Sequence, residues 1–145
     1  MKDIHSVLAA VLAIEPAVFA ADNTPPSVDL QGYSAAEIVL AVGAGGITFS
    51  GTNKIEFKLT HSDDDTTYTA VEQKDMLGVT VGTGGIIKAL IAAHATPAVY
   101  RAGYKGNRRY LKLLADFSGT HGTGTSLSAV VLKGHGFNKP EADQA

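Results

Sequence analysis

The clearest pattern along the chain is a strict alternation from Lys54 to His61. Ile55, Phe57, Leu59 and His61 fall on one parity, and Lys54, Glu56, Lys58 and Thr60 on the other. A period of two places the first set on a buried face and the second on a wet one, which predicts a strand over Lys54 to Ser62. The run Ser62-Asp63-Asp64-Asp65 supplies turn residues, and Thr66-Thr67-Tyr68-Thr69-Ala70-Val71 starts the return strand of a β-hairpin. A second alternation lies further on. Arg109, Leu111, Leu113, Ala115 and Phe117 share one parity, while Arg108, Tyr110, Lys112 and Leu114 share the other. That strand turns an apolar face inward and a mixed face outward.

Shorter apolar runs bounded by Gly, Pro, Ser and Thr predict further strands at 28–30, 37–42, 47–49, 67–71, 86–93, 98–104 and 126–135. Glu72 to Leu77 reads as one helical turn closed by Gly78. Roughly eight or nine short strands at this spacing predict a two-sheet β-sandwich, jelly-roll-like in architecture. No internal repeat is evident.

The chain before Val28 follows another pattern. Val7, Leu8, Val11, Leu12 and Ile14 can line one side of a short helix, and Pro16 would end it. Asp22-Asn23-Thr24-Pro25-Pro26-Ser27 is then a stiff connector. This predicts an extended or partly helical N-terminal arm over residues 1–27, a β-sandwich domain over 28–137 and a polar, frayed tail over 138–145. The arm packs on its own domain or lies on a neighbouring subunit; the pattern leaves both open. Lys2, the apolar run and Ala17-Val18-Phe19-Ala20-Ala21 resemble a secretory leader. Asp3 and His5 crowd the basic region and Glu15 and Pro16 interrupt the run, so a retained arm is expected. The uninterrupted part, Val7 to Ile14, is far shorter than the about 20 residues that span a bilayer.

Composition agrees with this picture. A chain of 145 residues is most economically one domain. Sixteen glycines, no tryptophan and few aromatics suit short strands and tight turns. The absence of cysteine removes disulfides, thiolate catalysis and Cys-ligated zinc. A net charge of −2 implies no field of one sign, so direct nucleic-acid binding is not expected.

Candidate chemistry is sparse. Asp63, Asp64 and Asp65 invite calcium, but a D-x-D-x-D-G spacing and a distal Glu are missing, so a solvated hairpin tip is expected. His5, His61, His94, His121 and His135 form no H-x-x-x-H or HExxH pair. His61 is expected on the inward face. The Gly-rich stretches at 43–46, 82–85 and 122–124 lack the strand–loop–helix setting of a phosphate loop, and His121 to Ser126 contains no nucleophile elbow. Arg101, Lys105, Arg108, Arg109 and Lys112 are interleaved with Tyr100, Tyr104 and Tyr110. The overall charge favours a solvated or subunit-facing strand over a nucleic-acid surface. No cofactor or metal is expected.

Three segments carry a resemblance: PAVFAADNTPPSVDLQGYSAAEIVLAVG, KLTHSDDDTTYTAVEQKDMLG and YKGNRRYLKLLADFSG. They resemble a family of small virion structural proteins from tailed bacteriophages and prophages, with a PAV-like arm, a VDLxGY strand start, an SDDG-type hairpin and a Y-x-G-x-K/R-R-Y strand. Here Asp65 stands where glycine is commoner. The nearest type is the jelly-roll capsid cement, or decoration, protein. The resemblance implies a non-enzymatic role on the outer capsid surface, reached from the host cytoplasm during assembly. It implies contact with the major capsid protein and with a second or third copy of the chain, as a dimer or trimer. No catalytic residue comes with it. The partner-binding residues expected on this reading are Val7, Leu8, Val11, Leu12, Ile14, Val18 and Phe19 of the arm, with Arg108, Tyr110 and Lys112 of the basic strand. The rival readings are a tail- or fibre-associated module that recognises a host glycan, and a secreted sandwich hydrolase or lectin.

Overall fold

The computed structural model describes residues 3–142 and residue 144. Met1, Lys2, Asp143 and Ala145, assigned above to the arm and the tail, lie outside the described residues. Ten strands follow in chain order: β1 (Leu8–Phe19), β2 (Val28–Asp29), β3 (Tyr33–Val42), β4 (Lys54–Ser62), β5 (Thr69–Ala70), β6 (Met76–Leu77), β7 (Ile86–Leu90), β8 (Ala98–Tyr104), β9 (Tyr110–Ser118) and β10 (Thr125–Gly136). They form two antiparallel sheets. One has the order β1-β10-β3-β8-β6; the other runs β2-β9-β4-β5, with β7 also paired to β4.

The chain crosses between sheets at almost every long connection. β1, β3, β8 and β10 belong to the first sheet, and β2, β4 with its short partners, and β9 to the second. With β5 and β7 counted as one interrupted strand along the free edge of β4, and the two-residue β6 set aside as an addition at the edge of β8, the remaining eight strands make the jelly-roll wrap. The fold is therefore an all-β, two-sheet, jelly-roll-like sandwich.

Period-two patterning builds its core. Ile38, Leu40 and Val42 of β3 and Leu127, Ala129 and Val131 of β10 face Ile55, Phe57 and Leu59 of β4 and Leu111, Leu113 and Ala115 of β9. Each fully buried side chain of this size contributes about 1.5–3 kcal/mol through removal of apolar surface from water.

Of the extended and partly helical forms expected for the N-terminal segment, the structure takes the extended one: a 3-10 turn at His5–Val7 leads directly into β1. The expected arm is also part of the sandwich, because β1 pairs with β10 from Leu8↔Gly134 to Phe19↔Thr125 and is the first strand of the jelly roll. The pairing shifts register between Leu12 and Ile14 and again between Ile14 and Ala17. Bulges of this kind put Ala13 and Ile14 inside together, which erases the alternation by which a strand is recognised. Pro16 falls within the second irregularity on an edge strand, where its missing N–H removes no ladder bond.

Two smaller corrections concern loops. Residues 47–49 are not a strand: Phe49 is buried as a plug in the β3–β4 connection. The described residues of the tail are held in place and not frayed. The Tyr33 hydroxyl donates to Glu141 Oε2 (2.5 Å), and the Gln144 side chain takes the Ala10 N–H (2.8 Å) and donates to the Ala10 carbonyl (2.9 Å). Gln144 thus occupies the free edge of β1, the position at which another strand would otherwise add. The hairpin tip matches its sequence pattern; the helical turn expected over Glu72 to Leu77 is shorter, a 3-10 turn at Gln73–Asp75, because Met76 and Leu77 are extended as β6 and pair with β8. Asp64 accepts the N–H groups of Thr66 (3.0 Å) and Thr67 (2.8 Å), Asp65 takes a positive φ, and a capping box joins Glu72 to Asp75.

Candidate functional site

The two sheets present opposite outer surfaces. On the second sheet the outward positions carry charge: Lys54 meets Glu56 at 2.6 Å, and Lys58 pairs with Asp116 on the neighbouring strand. Lys112 lies on the same face, with its ammonium 4.3 Å from the Tyr68 ring centre. Tyr110 is stacked by the Arg109 guanidinium at 4.7 Å. These contacts hold the expected residues Tyr110 and Lys112 on a solvated face of mixed sign.

The outer side of the first sheet is apolar. Its register places Leu12, Val130, Val39 and Arg101 in one row across four strands, and Ala10, Leu132, Glu37 and Gly103 in the next. Ala41 lies beside Val99, and Leu77 of β6 extends the second row past Gly103. Leu12 is 50% exposed, and Val18 and Val99 are each 64% exposed. On the outward positions of β10, β3 and β8 the charged residues are Glu37 and Arg101, and they pair with each other at 3.8 Å. A contiguous outward apolar surface of this kind is a feature that interaction sites share.

The structure splits the expected arm residues between this face and the core. Leu12 and Val18 are exposed on the apolar face, and Leu8 and Val7 are half-buried where it begins. Val11 and Phe19 pack against the core, and Ile14 is 1% exposed within it. Ile14 therefore meets its own domain. Val39, Val130 and Leu132 were missed. The signal was present in Glu37-Ile38-Val39-Leu40-Ala41-Val42 and in Ala129-Val130-Val131-Leu132, runs that are apolar on both parities. Such runs belong to strands covered on both faces.

At one end of the sandwich, the β2–β3, β4–β5 and β8–β9 connections converge on two clefts of 420 and 460 Å3. Asp63, Asn107 and Arg108 wall both. The Arg108 guanidinium lies 3.9 Å from the Asp63 carboxylate, and the exposure of both makes this a weak, adjustable contact. Below it His61 of β4 meets Tyr104 of β8, Nδ1 to hydroxyl 2.9 Å, in an edge-to-face arrangement. The Tyr104 hydroxyl also accepts the Arg108 N–H at 3.3 Å. The hydroxyl oxygen, with two lone pairs and one proton, therefore bonds to both the imidazole and the loop backbone. Burial lowers the His61 pKa, with the Arg108 charge adding to the effect, and burial pushes the Tyr104 hydroxyl up to about 12. The Tyr104 hydroxyl thus ties the loop carrying Arg108 to the buried pair and leaves the guanidinium at the surface. The larger cleft also contains Glu72 and Lys74, paired at 2.8 Å, and the smaller is edged by Phe137, which is 75% exposed.

Among the described residues, no group of three or more His, Asp or Glu side chains gathers in metal-binding geometry, and no helix is long and apolar enough to cross a membrane. Comparison with protein-family models, curated proteins and solved structures gives no match.

Proposed function

We propose that this protein is a non-enzymatic virion structural component of a tailed bacteriophage that decorates the outer capsid surface and cements it by bridging subunits of the major capsid protein. The observation that carries the reading is the presence of two chemically different contact surfaces on one rigid sandwich: an apolar sheet face, and a charged loop end built around Arg108 and Asp63. A module with two such surfaces can join bodies that do not otherwise touch. The motifs shared with small phage virion proteins supply the setting.

The physical mechanism is binding linkage. A clamp that attaches to the mature lattice and not to its precursor stabilises the mature form by mass action. Individual contacts can be weak, because many copies engage one shell and each bridge makes the next contact effectively intramolecular. On this reading Arg108 and the outward pair Tyr110 and Lys112 meet acidic surface on the shell.

The test is co-sedimentation of the purified protein with expanded and unexpanded empty shells of the phage that carries it. Saturable attachment to expanded shells, weakened by Arg108→Glu, is expected. Failure to bind either form overturns the proposal. One observation favours a second reading, a tail-associated module that recognises a host glycan: Phe137 stands exposed on a cleft that also contains Gln31 and Asn107, an aromatic plate beside amide groups. Binding to host cells but not to shells, lost in Phe137→Ala, would select that reading.

A further inference from the structure

We infer that the free edge of β8 takes up an extended, acidic segment of another protein as an added strand, with an aliphatic side chain of that segment entering the slot between the two sheets. The inference stands whether or not the capsid reading holds.

The edge is open for a local reason. β6 pairs with β8 over two residues, Met76↔Tyr104 and Leu77↔Gly103. Gly78 then takes a φ of 77° and turns the chain away, and a Cβ added there would meet nothing within 4 Å. The Lys105 N–H donates to the Asp75 carbonyl at 2.8 Å, which sets the phase of the ladder on this side. Odd-numbered residues of β8 therefore direct their backbone groups toward β6, and even-numbered ones toward β3. Gly103 meets β6. Arg101 and Val99 come next, and their two N–H and two C=O groups face a side where no described strand lies. An extended chain offers acceptors and donors at that alternating spacing.

Beneath this edge a slot of 240 Å3 opens between β8 and β7. Ile38, Leu40, Ala102 and Ile87 supply its apolar lining. On an added strand, the side chains opposite Ala102 and Tyr100 point inward, toward the slot. Ala102 is small, which leaves room there for an aliphatic group.

Charge selects the occupant. Lys88 and Arg101 line the slot, and no acidic residue does. The Lys88 ammonium rests 3.9 Å from the centre of the Tyr100 ring, whose hydroxyl is tied to His94 Nε2 at 3.0 Å. Arg101 is 74% exposed and reaches Glu37 only at 3.8 Å. A second copy of β8 would set these cations against their own kind. The chain's own tail is engaged at the opposite edge of the sheet, on Ala10 of β1. A segment of another protein with carboxylates beside its aliphatic residues satisfies the backbone, the slot and the cations together.

The probe is the acetylated, amidated peptide SVEVESG, titrated into isotope-labelled protein while backbone amides are followed by NMR. Saturable binding is expected, and the Val99 and Arg101 amide hydrogens should exchange at least about tenfold more slowly in the complex. SGEGESG keeps the charge and loses the aliphatic side chains, and SVKVKSG reverses the charge; each should bind at least about tenfold more weakly. Val99→Pro removes one outward N–H without touching the pairing with β3, and should weaken SVEVESG binding at least about tenfold in protein that circular dichroism shows to be folded. Arg101→Glu, at an exposed side chain, should shift the preference toward SVKVKSG. Absence of SVEVESG binding at millimolar concentration overturns the inference. Equal binding of SVKVKSG by the wild type overturns it too, as does binding that folded Val99→Pro leaves intact. No shell enters this test, so its failure leaves the capsid proposal untouched.

Discussion

His61 on β4 and Tyr104 on β8 join the two sheets of the sandwich through a hydrogen bond of 2.9 Å at the end where Arg108 emerges. The tyrosine hydroxyl completes the arrangement by accepting the Arg108 N–H. One buried pair thereby ties sheet pairing to the position of the most prominent cation of the loop end.

Tyr104→Phe keeps the ring and removes the hydroxyl. His61 Nδ1 and the Arg108 N–H are then left without their partner. Leaving buried polar groups unsatisfied costs about 1–3 kcal/mol. Urea denaturation should show that loss, and the β8–β9 loop should exchange its amide hydrogens faster. Unchanged stability would show that the bond does not hold the sheets together.

The same pair makes stability depend on pH. His61 has its pKa lowered from 6.5 in the folded protein, chiefly by burial, while the unfolded chain titrates near the ordinary value. Between those two values the unfolded state binds more protons. Stability from this group is therefore fully present above about pH 6.5 and falls as the pH drops through the lowered folded value. Denaturation midpoints measured from pH 8 to pH 5 should decline more steeply in the wild type than in His61→Phe. Parallel slopes would refute the assignment.

Val11 and Leu12 are neighbours with opposite fates, because Val11 packs against the core and Leu12 is exposed. Val11→Asp should destabilise the fold by several kcal/mol through burial of a carboxylate. Leu12→Asp should change stability by less than about 1 kcal/mol. Thermal melts of the two variants separate the two positions.

Ile14→Ala tests whether β1 is integral. A cavity at a side chain of this burial costs about 2–5 kcal/mol. Removing residues 1–19 should abolish cooperative unfolding altogether, since β10 would lose its outer partner. A truncated protein that melts cooperatively would show that the sandwich holds together without this segment.

At the opposite end of the sandwich, Gly46 crosses Gly124 so closely that a Cβ on Gly46 would lie 1.8 Å from the Gly124 carbonyl oxygen. Gly46→Ala must separate the β3–β4 and β9–β10 loops, and a destabilisation of at least about 1–3 kcal/mol is expected from overpacking. Gly51→Ala, in a neighbouring position with open space around its Cβ, serves as the control. Equal melting temperatures for the two variants would contradict the crossing.

The amino-acid pattern alone determined the sandwich class, the inward set of β4 and β9, the Asp-rich hairpin tip and the presence of a helical turn after Glu72. Each depends on a repeat of two residues or on a local turn preference, and such signals survive without knowledge of neighbours. The inward placement of His61 was legible for the same reason, but its partner was not: Tyr104 lies on the other sheet, and only the wrap of the chain brings the two together. Tertiary structure also decided the N-terminal segment. Two register shifts broke its alternation, so pairing with β10, rather than any local preference, makes it a strand. The apolar face was decided in the same way. Val39, Val130 and Leu132 are ordinary core-like residues in the sequence, and they become an outward apolar surface because the sheet order leaves their side of the sandwich uncovered.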